Sequence, residues 1–219
     1  MNIVTPYARI IDLPDRAAGI QLLKKIEWAA RVSHRSEDAQ TEDSWERFLT
    51  AVVLNHGDWS VVEHAGVTVD MLVDRGITHE VCRHRLFSFT MESTRFVNYE
   101  KKMPPSFIVP IEADHASALN HWNSAIRFAE IAYCQLIADG CAPQIARSVL
   151  PNALAARIIT SGNLRNWRHF LLMRTTKETH PQLREVTIPL LQEFQGKIPL
   201  LFDDIEPLAS QRENLRKPR

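Results

Sequence analysis

Between residues 65 and 73 the apolar spacing of the chain changes to a period of two, with Val67, Val69, Met71 and Val73 on one side and Thr68 and Asp70 on the other. Successive side chains of a strand point to opposite faces, so the pattern predicts a half-buried strand with one face in the core. N-terminal to it, Ile20, Leu23, Ile26 and Ala30 repeat at helical spacing within residues 16–32. Trp45, Phe48, Leu49 and Val52 do the same within 43–55, before Gly57. These spacings predict two packed helices ahead of the strand.

Beyond the strand, Gly76 opens a short helix that carries Arg83-His84-Arg85, and the alternation over 94–99 predicts a return to strand. Pro104, Pro105 and Pro110 mark a loop. Leu119, Trp122, Ile126, Ala129, Tyr133 and Leu136 trace a long helix ended by Gly140. Pro143 suits a helix's first turn and Pro151 closes that segment. Residues 153–160 mix strand and helix tendencies, and periodicity leaves both open. Asn163 is a suitable N-cap for a helix through Arg174, and Leu183, Val186, Leu190 and Phe194 predict another at about 181–196.

With 219 residues and 45% hydrophobic content, one sizeable core is affordable, and a single domain over 1–219 is expected. Twenty-six basic residues balance twenty-six acidic ones, which argues against nucleic acid or an acidic membrane surface as partner. Cys82, Cys134 and Cys141 form no CxxC pair, so neither a disulfide framework nor a zinc knuckle is expected, and a reducing cytoplasm fits best. The start, MNIVTPYARIID, is unlike a secretory leader, and no window approaches about 18 uncharged apolar residues. The protein is expected to be soluble.

The chemistry concentrates in RHRLFSFTMESTR, residues 83–95, a cationic cluster of the kind that binds anions. In a helix Arg83 and Arg85 lie about 200° apart, so they serve two ligands better than one. If Ser93 and Arg95 lie on a strand, their spacing of two puts hydroxyl and guanidinium on one side, a pairing suited to phosphate. Taken alone, the triplet reads as a solvated basic turn balanced by Glu80 and Glu92. Asn163 and Arg174 fall within about 20° on one helix face, while Arg165 and His169, at i and i+4, share another. His79-Glu80-Val81-Cys82-Arg83-His84 fails as a zinc motif. Its second histidine is about 140° round the helix from the first, and Arg83 occupies the ligand position. His56 and His64 read as ordinary polar residues, so no metal is expected. None of the seven glycines forms GxGxxG, which excludes a Rossmann-type dinucleotide loop.

The spacing Arg83-His84-Arg85, seven residues, Ser93 resembles the signature of the flavin-dependent thymidylate synthases. The likeness extends to AARVSH at 29–34, HGDWSVVEH at 56–64, ARSVLP at 146–151, and GNLRNWRHF through MR at 162–174, and it reverses the solvated-turn reading. The resemblance implies an α+β fold, with a small mostly antiparallel sheet flanked by helices, as in the thymidylate synthase-complementing proteins. It implies reductive methylation of dUMP to dTMP, with FAD as cofactor and NADPH and 5,10-methylenetetrahydrofolate as cosubstrates. By the same likeness Ser60, Glu63, Arg83, His84, Arg85, Asn163, Arg165 and His169 hold FAD, with Ser33 a further candidate. Glu92, Ser93, Thr94, Arg95, Arg147 and Arg174 bind dUMP, together with Glu80 and Arg83 of a neighbouring subunit in a homotetramer.

Arg174 is the residue carried over as catalytic. Methyl transfer asks carbon 5 of uracil to act as a nucleophile, and a permanently charged guanidinium beside the ring stabilises the negative charge that develops. Ser93 lacks an adjacent base and is assigned to substrate binding. Arginines take the place of glycine-loop amides at the diphosphate, and cations near a reduced flavin favour its anionic, hydride-donating form. Departures are visible. The family's commonest run is Asn-Glu-x-Ser-x-Arg-Tyr, where this chain has Thr90-Met91-Glu92-Ser93-Thr94-Arg95-Phe96; Asp58 stands where relatives often carry histidine, and His169 where some carry asparagine. Met91, Phe96 and Asp58 motivate a second reading, a flavin- and nucleotide-binding homologue lacking synthase activity. A metal-dependent hydrolase is a weaker third.

Overall fold

A computed structural model describes residues 1–99, 104–111 and 115–206. Strands β1 (Asn2–Ile3) and β2 (Tyr7–Ile10) lead into helices α1 (Arg16–Arg31) and α2 (Ser44–Leu49), the latter continuing with π-helical geometry over Thr50–Asn55. A 3₁₀ turn over Trp59–His64 precedes strand β3 (Gly66–Asp74), helix α3 (Arg75–Cys82) and strands β4 (Ser88–Met91) and β5 (Ser106–Phe107). Helices α4 (Ala116–Ala138) and α5 (Pro143–Ala146), strand β6 (Ala155–Asn163) and helices α6 (Leu164–Arg174) and α7 (Pro181–Lys197) complete the order. The class is α+β, as expected.

Local chemistry sets several of these boundaries. Asp15, Asp74 and Asn163 each accept a hydrogen bond from the backbone N–H three residues on, at 2.9, 2.8 and 2.9 Å, capping α1, α3 and α6. Pro181 opens α7, where its missing N–H costs nothing. Gly140 follows α4 with φ of 87°, a left-handed turn that glycine adopts without strain.

The main sheet is antiparallel in the order β2-β3-β6-β4, and β1 pairs with β5 in a separate parallel pair. Val67, Val69, Met71 and Val73 of β3 are buried against Leu23, Ile158, Trp167 and Phe194, so the alternation seen in the sequence is the core face of the sheet. Residues 153–160, ambiguous by periodicity, contribute β6, because this segment pairs with β3 on one side and β4 on the other. Under α4, Tyr99, Phe107, Ile126, Tyr133, Ala146 and Leu154 form a second apolar cluster.

The opposite face of β3 carries a fully buried carboxylate. Asp70 accepts from Arg157 at 2.7 and 3.0 Å, from Arg9 at 3.1 Å and from the Tyr7 hydroxyl at 3.2 Å. Burial by itself raises the Asp70 carboxyl, but these hydrogen bonds outweigh it and hold it below the usual carboxylate range.

Two local expectations are corrected. The Arg-His-Arg triplet is not inside a helix: α3 ends at Cys82, and the N–H groups of Arg83, His84 and Phe87 bond to the carbonyls of Glu80, Val81 and His84 in successive turns that reverse the chain into β4. The helical separation of Arg83 and Arg85 therefore does not apply. Nor do Ser93 and Arg95 lie on a strand. β4 ends at Met91, the Ser93 hydroxyl accepts from the Arg95 N–H at 3.3 Å, and the Ser93 carbonyl accepts from Phe96 and Val97. A serine side chain that satisfies nearby backbone in this way favours a turn over a continued ladder. Among the described residues, no helix is long and apolar enough to cross a membrane.

Candidate functional site

The turn after α3 and one face of α6 enclose a cavity of about 510 Å³, lined by Arg83, His84, Arg85, Leu86, Phe87, Asn166, His169, Met173 and Arg174. Its floor is aromatic. The Phe87 ring meets Trp167 at 4.6 Å, and the His84 ring meets Phe170 edge-on at 4.8 Å and His169 at 6.2 Å. Phe87 lies over Gly162, where an added Cβ would stand 2.3 Å from the ring, so glycine at 162 lets β6 accept that ring.

Arg174, the last residue of α6, is held at several points. Its Nε donates to His84 Nε2 at 2.9 Å, its Nη1 to Glu80 Oε2 at 3.3 Å, and its carbonyl accepts from Thr187 Oγ1 of α7 at 2.7 Å. Burial, with the charges of Arg174 and His169, lowers the His84 imidazole from 6.5 to about 4. The ring is therefore neutral across the physiological range, with its Nε2 lone pair available to the guanidinium.

Outside the lining of this cavity, Arg165 Nη1 reaches Glu63 Oε1 at 2.6 Å and joins α6 to the 3₁₀ turn on which exposed Ser60 also sits. Asn163 uses its side-chain oxygen to cap α6. The Ser33 hydroxyl donates to the Ala30 carbonyl at 2.8 Å. Asp58 pairs with His56 at 3.1 Å.

The remaining candidates gather elsewhere. Arg147, in the 3₁₀ turn after α5, donates to Thr94 Oγ1 at 3.2 Å, and the two residues line a cavity of about 290 Å³ with Arg75, Ser148, Leu150 and Leu154. Arg95 Nε donates to Gln144 Oε1 at 3.1 Å. Glu92 turns inward, accepting from the Tyr99 hydroxyl at 2.6 Å, and burial together with that carboxylate pushes the Tyr99 phenol well above its ordinary range. So Arg83 and Arg174 line the first cavity, whereas Thr94 and Arg147 line the second.

Sequence reading missed Arg75 and Asn166. Arg75 lines the second cavity, and its Nη1 is buried with no hydrogen-bond partner among the described residues. Its signal was positional: it occupies the first turn of α3, where the helix dipole disfavours a cation unless something else holds it there. Asn166 sits inside the GNLRNWRHF run and ties α6 to the turn after α3 through a bond from its side-chain nitrogen to the Leu86 carbonyl at 3.1 Å.

Comparison with known proteins adds to this geometry. The family model described as thymidylate synthase complementing protein matches residues 21–200. A flavin-dependent thymidylate synthase of Corynebacterium glutamicum is 34% identical over 185 residues, covering 76% of this chain and 73% of the relative. One from Mycobacterium sp. (strain JLS) is 33% identical over 223 residues, covering 88% and 84%. Among solved structures, a UMP/dUMP methylase, PolB from Streptomyces cacaoi bound with 5-Br dUMP, superposes with a TM-score of 0.75 at 24% identity, covering 93% of this chain and 96% of that one. At that identity the likeness establishes the fold.

Proposed function

We propose that this chain, because it belongs to the thymidylate synthase complementing protein family, is a single-domain flavin-dependent synthase that converts dUMP, 5,10-methylenetetrahydrofolate, NADPH and a proton into dTMP, tetrahydrofolate and NADP⁺. The observation that carries this reading is the guanidinium of Arg174, fixed by His84 and Glu80 on the wall of a cavity made cationic by Arg83 and Arg85. A group so held faces a ligand with its charge already oriented, which is the condition for stabilising negative charge as it appears on a uracil ring.

The first cavity fits a flavin by its chemistry: aromatic edges from Phe87 and His84, the amide of Asn166, and permanent cations at its rim. Arg83, His84, Arg85, Asn163, Arg165 and His169 are the residues assigned to FAD there, with Ser60 and Glu63 on the adjoining turn. Bound reduced flavin supplies the hydride. The protein's own residues orient it, favour its anion and exclude water. Glu80, Arg83, Glu92, Ser93, Thr94, Arg95, Arg147 and Arg174 are assigned to dUMP. No serine nucleophile enters, since Ser93 lacks a base within its turn.

The split between the two cavities supports a homotetramer with shared sites. The resemblance implied Glu80 and Arg83 from a neighbour of the chain that supplies Arg174, but Arg174 bonds Glu80 of its own chain and lines one cavity with its own Arg83. In this reading one copy offers Glu80, Arg83 and Arg174 at the first cavity and another offers Thr94 and Arg147 at the second. A cytoplasmic location follows from the substrates of the reaction. Complementation of a thymidine-requiring strain, with tritium release from 5-labelled dUMP, tests the whole. Growth and release are expected. Flavin and dUMP retained without release would mark a homologue that binds but does not methylate.

A further inference from the structure

Of the triplet Arg83-His84-Arg85, the two arginines are exposed while the histidine between them turns its ring inward to Phe170 and Arg174. The middle residue therefore has a different partner from its neighbours. Its backbone is fixed by the turn: the His84 N–H bonds to the Val81 carbonyl at 3.1 Å, and the His84 carbonyl accepts from Phe87 at 3.3 Å. Arginine is a long, flexible side chain whose fork is useful only when its plane is set, and setting it costs rotamer freedom. Two bonds at different nitrogens, Nε to His84 and Nη1 to Glu80, define that plane.

Resting on the synthase reading, we propose that His84 is a positioning residue: its neutral ring accepts the Arg174 Nε–H and, with Glu80, sets the guanidinium in the orientation that meets charge developing on the pyrimidine. Nε2 is the accepting atom, so the single proton of the ring lies on Nδ1. Burial beside Phe170 and Phe87, together with the charges of Arg174 and His169, disfavours a second proton. Glu80 is then the partner of Arg174 within its own chain, as well as a group assigned to substrate.

The test separates positioning from flavin binding and from the synthase reading itself. In purified protein assayed with saturating FAD, because His84 also lines the flavin cavity, His84→Leu is expected to lower kcat per bound flavin about 100-fold, the scale of a displaced catalytic group. His84→Gln, whose amide oxygen can accept the same N–H, is expected to recover to within about fivefold of wild type. A readout that needs no turnover accompanies these: in ¹⁵N-labelled wild type, His84 shows the Nδ1–H tautomer and the Arg174 Nε–H exchanges slowly. That protection persists in His84→Gln and vanishes in His84→Leu. Loss of flavin in proportion to activity in His84→Leu, an unchanged Arg174 signal in that variant, or an Nε2–H tautomer in wild type overturns the proposal. Should wild type make no dTMP at all, the synthase reading fails on its own and the labelled spectra still decide whether His84 holds Arg174.

Discussion

The two cavities both present arginine, yet they treat it in opposite ways. Around Arg174 the chain supplies its own acceptors, His84 and Glu80, and closes the wall with rings packed edge to face. Among the described residues the only partner of the Arg147 guanidinium is the neutral hydroxyl of Thr94, and Arg75 Nη1 is buried with no hydrogen-bond partner. The first region is preorganised, its cation aimed before any ligand arrives. The second holds a buried donor with no hydrogen-bond partner among the described residues, a cost of about 1–3 kcal/mol that an anion bound there, on the proposed reading, would offset. On the reading proposed above, orientation is the task of one region and affinity of the other.

The sharpest way to break this division is Arg174→Ala. The variant should keep its flavin while dTMP formation falls about 10²–10³-fold, the range for removing one charge-stabilising donor. Turnover near wild type would dissolve the distinction. Next, Arg147→Ala should weaken dUMP binding about 10–100-fold by calorimetry, the equivalent of a charge-assisted hydrogen bond, and unchanged affinity would remove it from the phosphate contacts.

Arg75→Met sharpens the contrast through opposite signs. It should reduce dUMP affinity yet raise the thermal stability of the nucleotide-free protein, by about 1–3 kcal/mol at most, because an unpaired buried donor is deleted. Stability and affinity falling together would mean that Arg75 is paired after all. The smallest effect concerns pH. His84 titrates near 4 when folded and near 6.5 when unfolded, so the unfolded chain takes up its proton first. The contribution of the neutral ring to stability is complete above about 6.5 and is lost as pH falls toward 4, where the Arg174 acceptor also disappears. Denaturant melts of wild type and His84→Gln across that window should converge at the acid end.

Legibility followed the range of the interactions. The strand at 66–74 and the cap at Asn163 could be read because period and cap chemistry act within a few residues. The identity of 155–163 could not, since its pairing with β3 and β4 is decided by distant chain. The same holds in the site. Arg174 and His84 were singled out separately, but their bond joins residues ninety positions apart. Arg75 was passed over because a lone arginine after Asp74 has no pattern of its own; only the burial of its Nη1 beside Arg147, with no hydrogen-bond partner among the described residues, gives it meaning. Ser93 and Arg95 were aligned as a strand pair because spacing alone does not report that the serine hydroxyl bends its own backbone.

Asp70 lies on the far side of the sheet from Arg174, yet it governs where that arginine ends up. By gathering Arg9 from β2 and Arg157 from β6 onto one carboxylate of β3, it works as an alignment pin through three strands. Sliding β6 by a single residue would pull Arg157 away and strand a buried charge, a far costlier error than a slipped apolar strand. Because α6 begins where β6 stops, the pin also fixes the starting point from which eleven helical residues are counted out to Arg174. The placement of Arg174 is inherited from an ion cluster on the opposite face of the sheet.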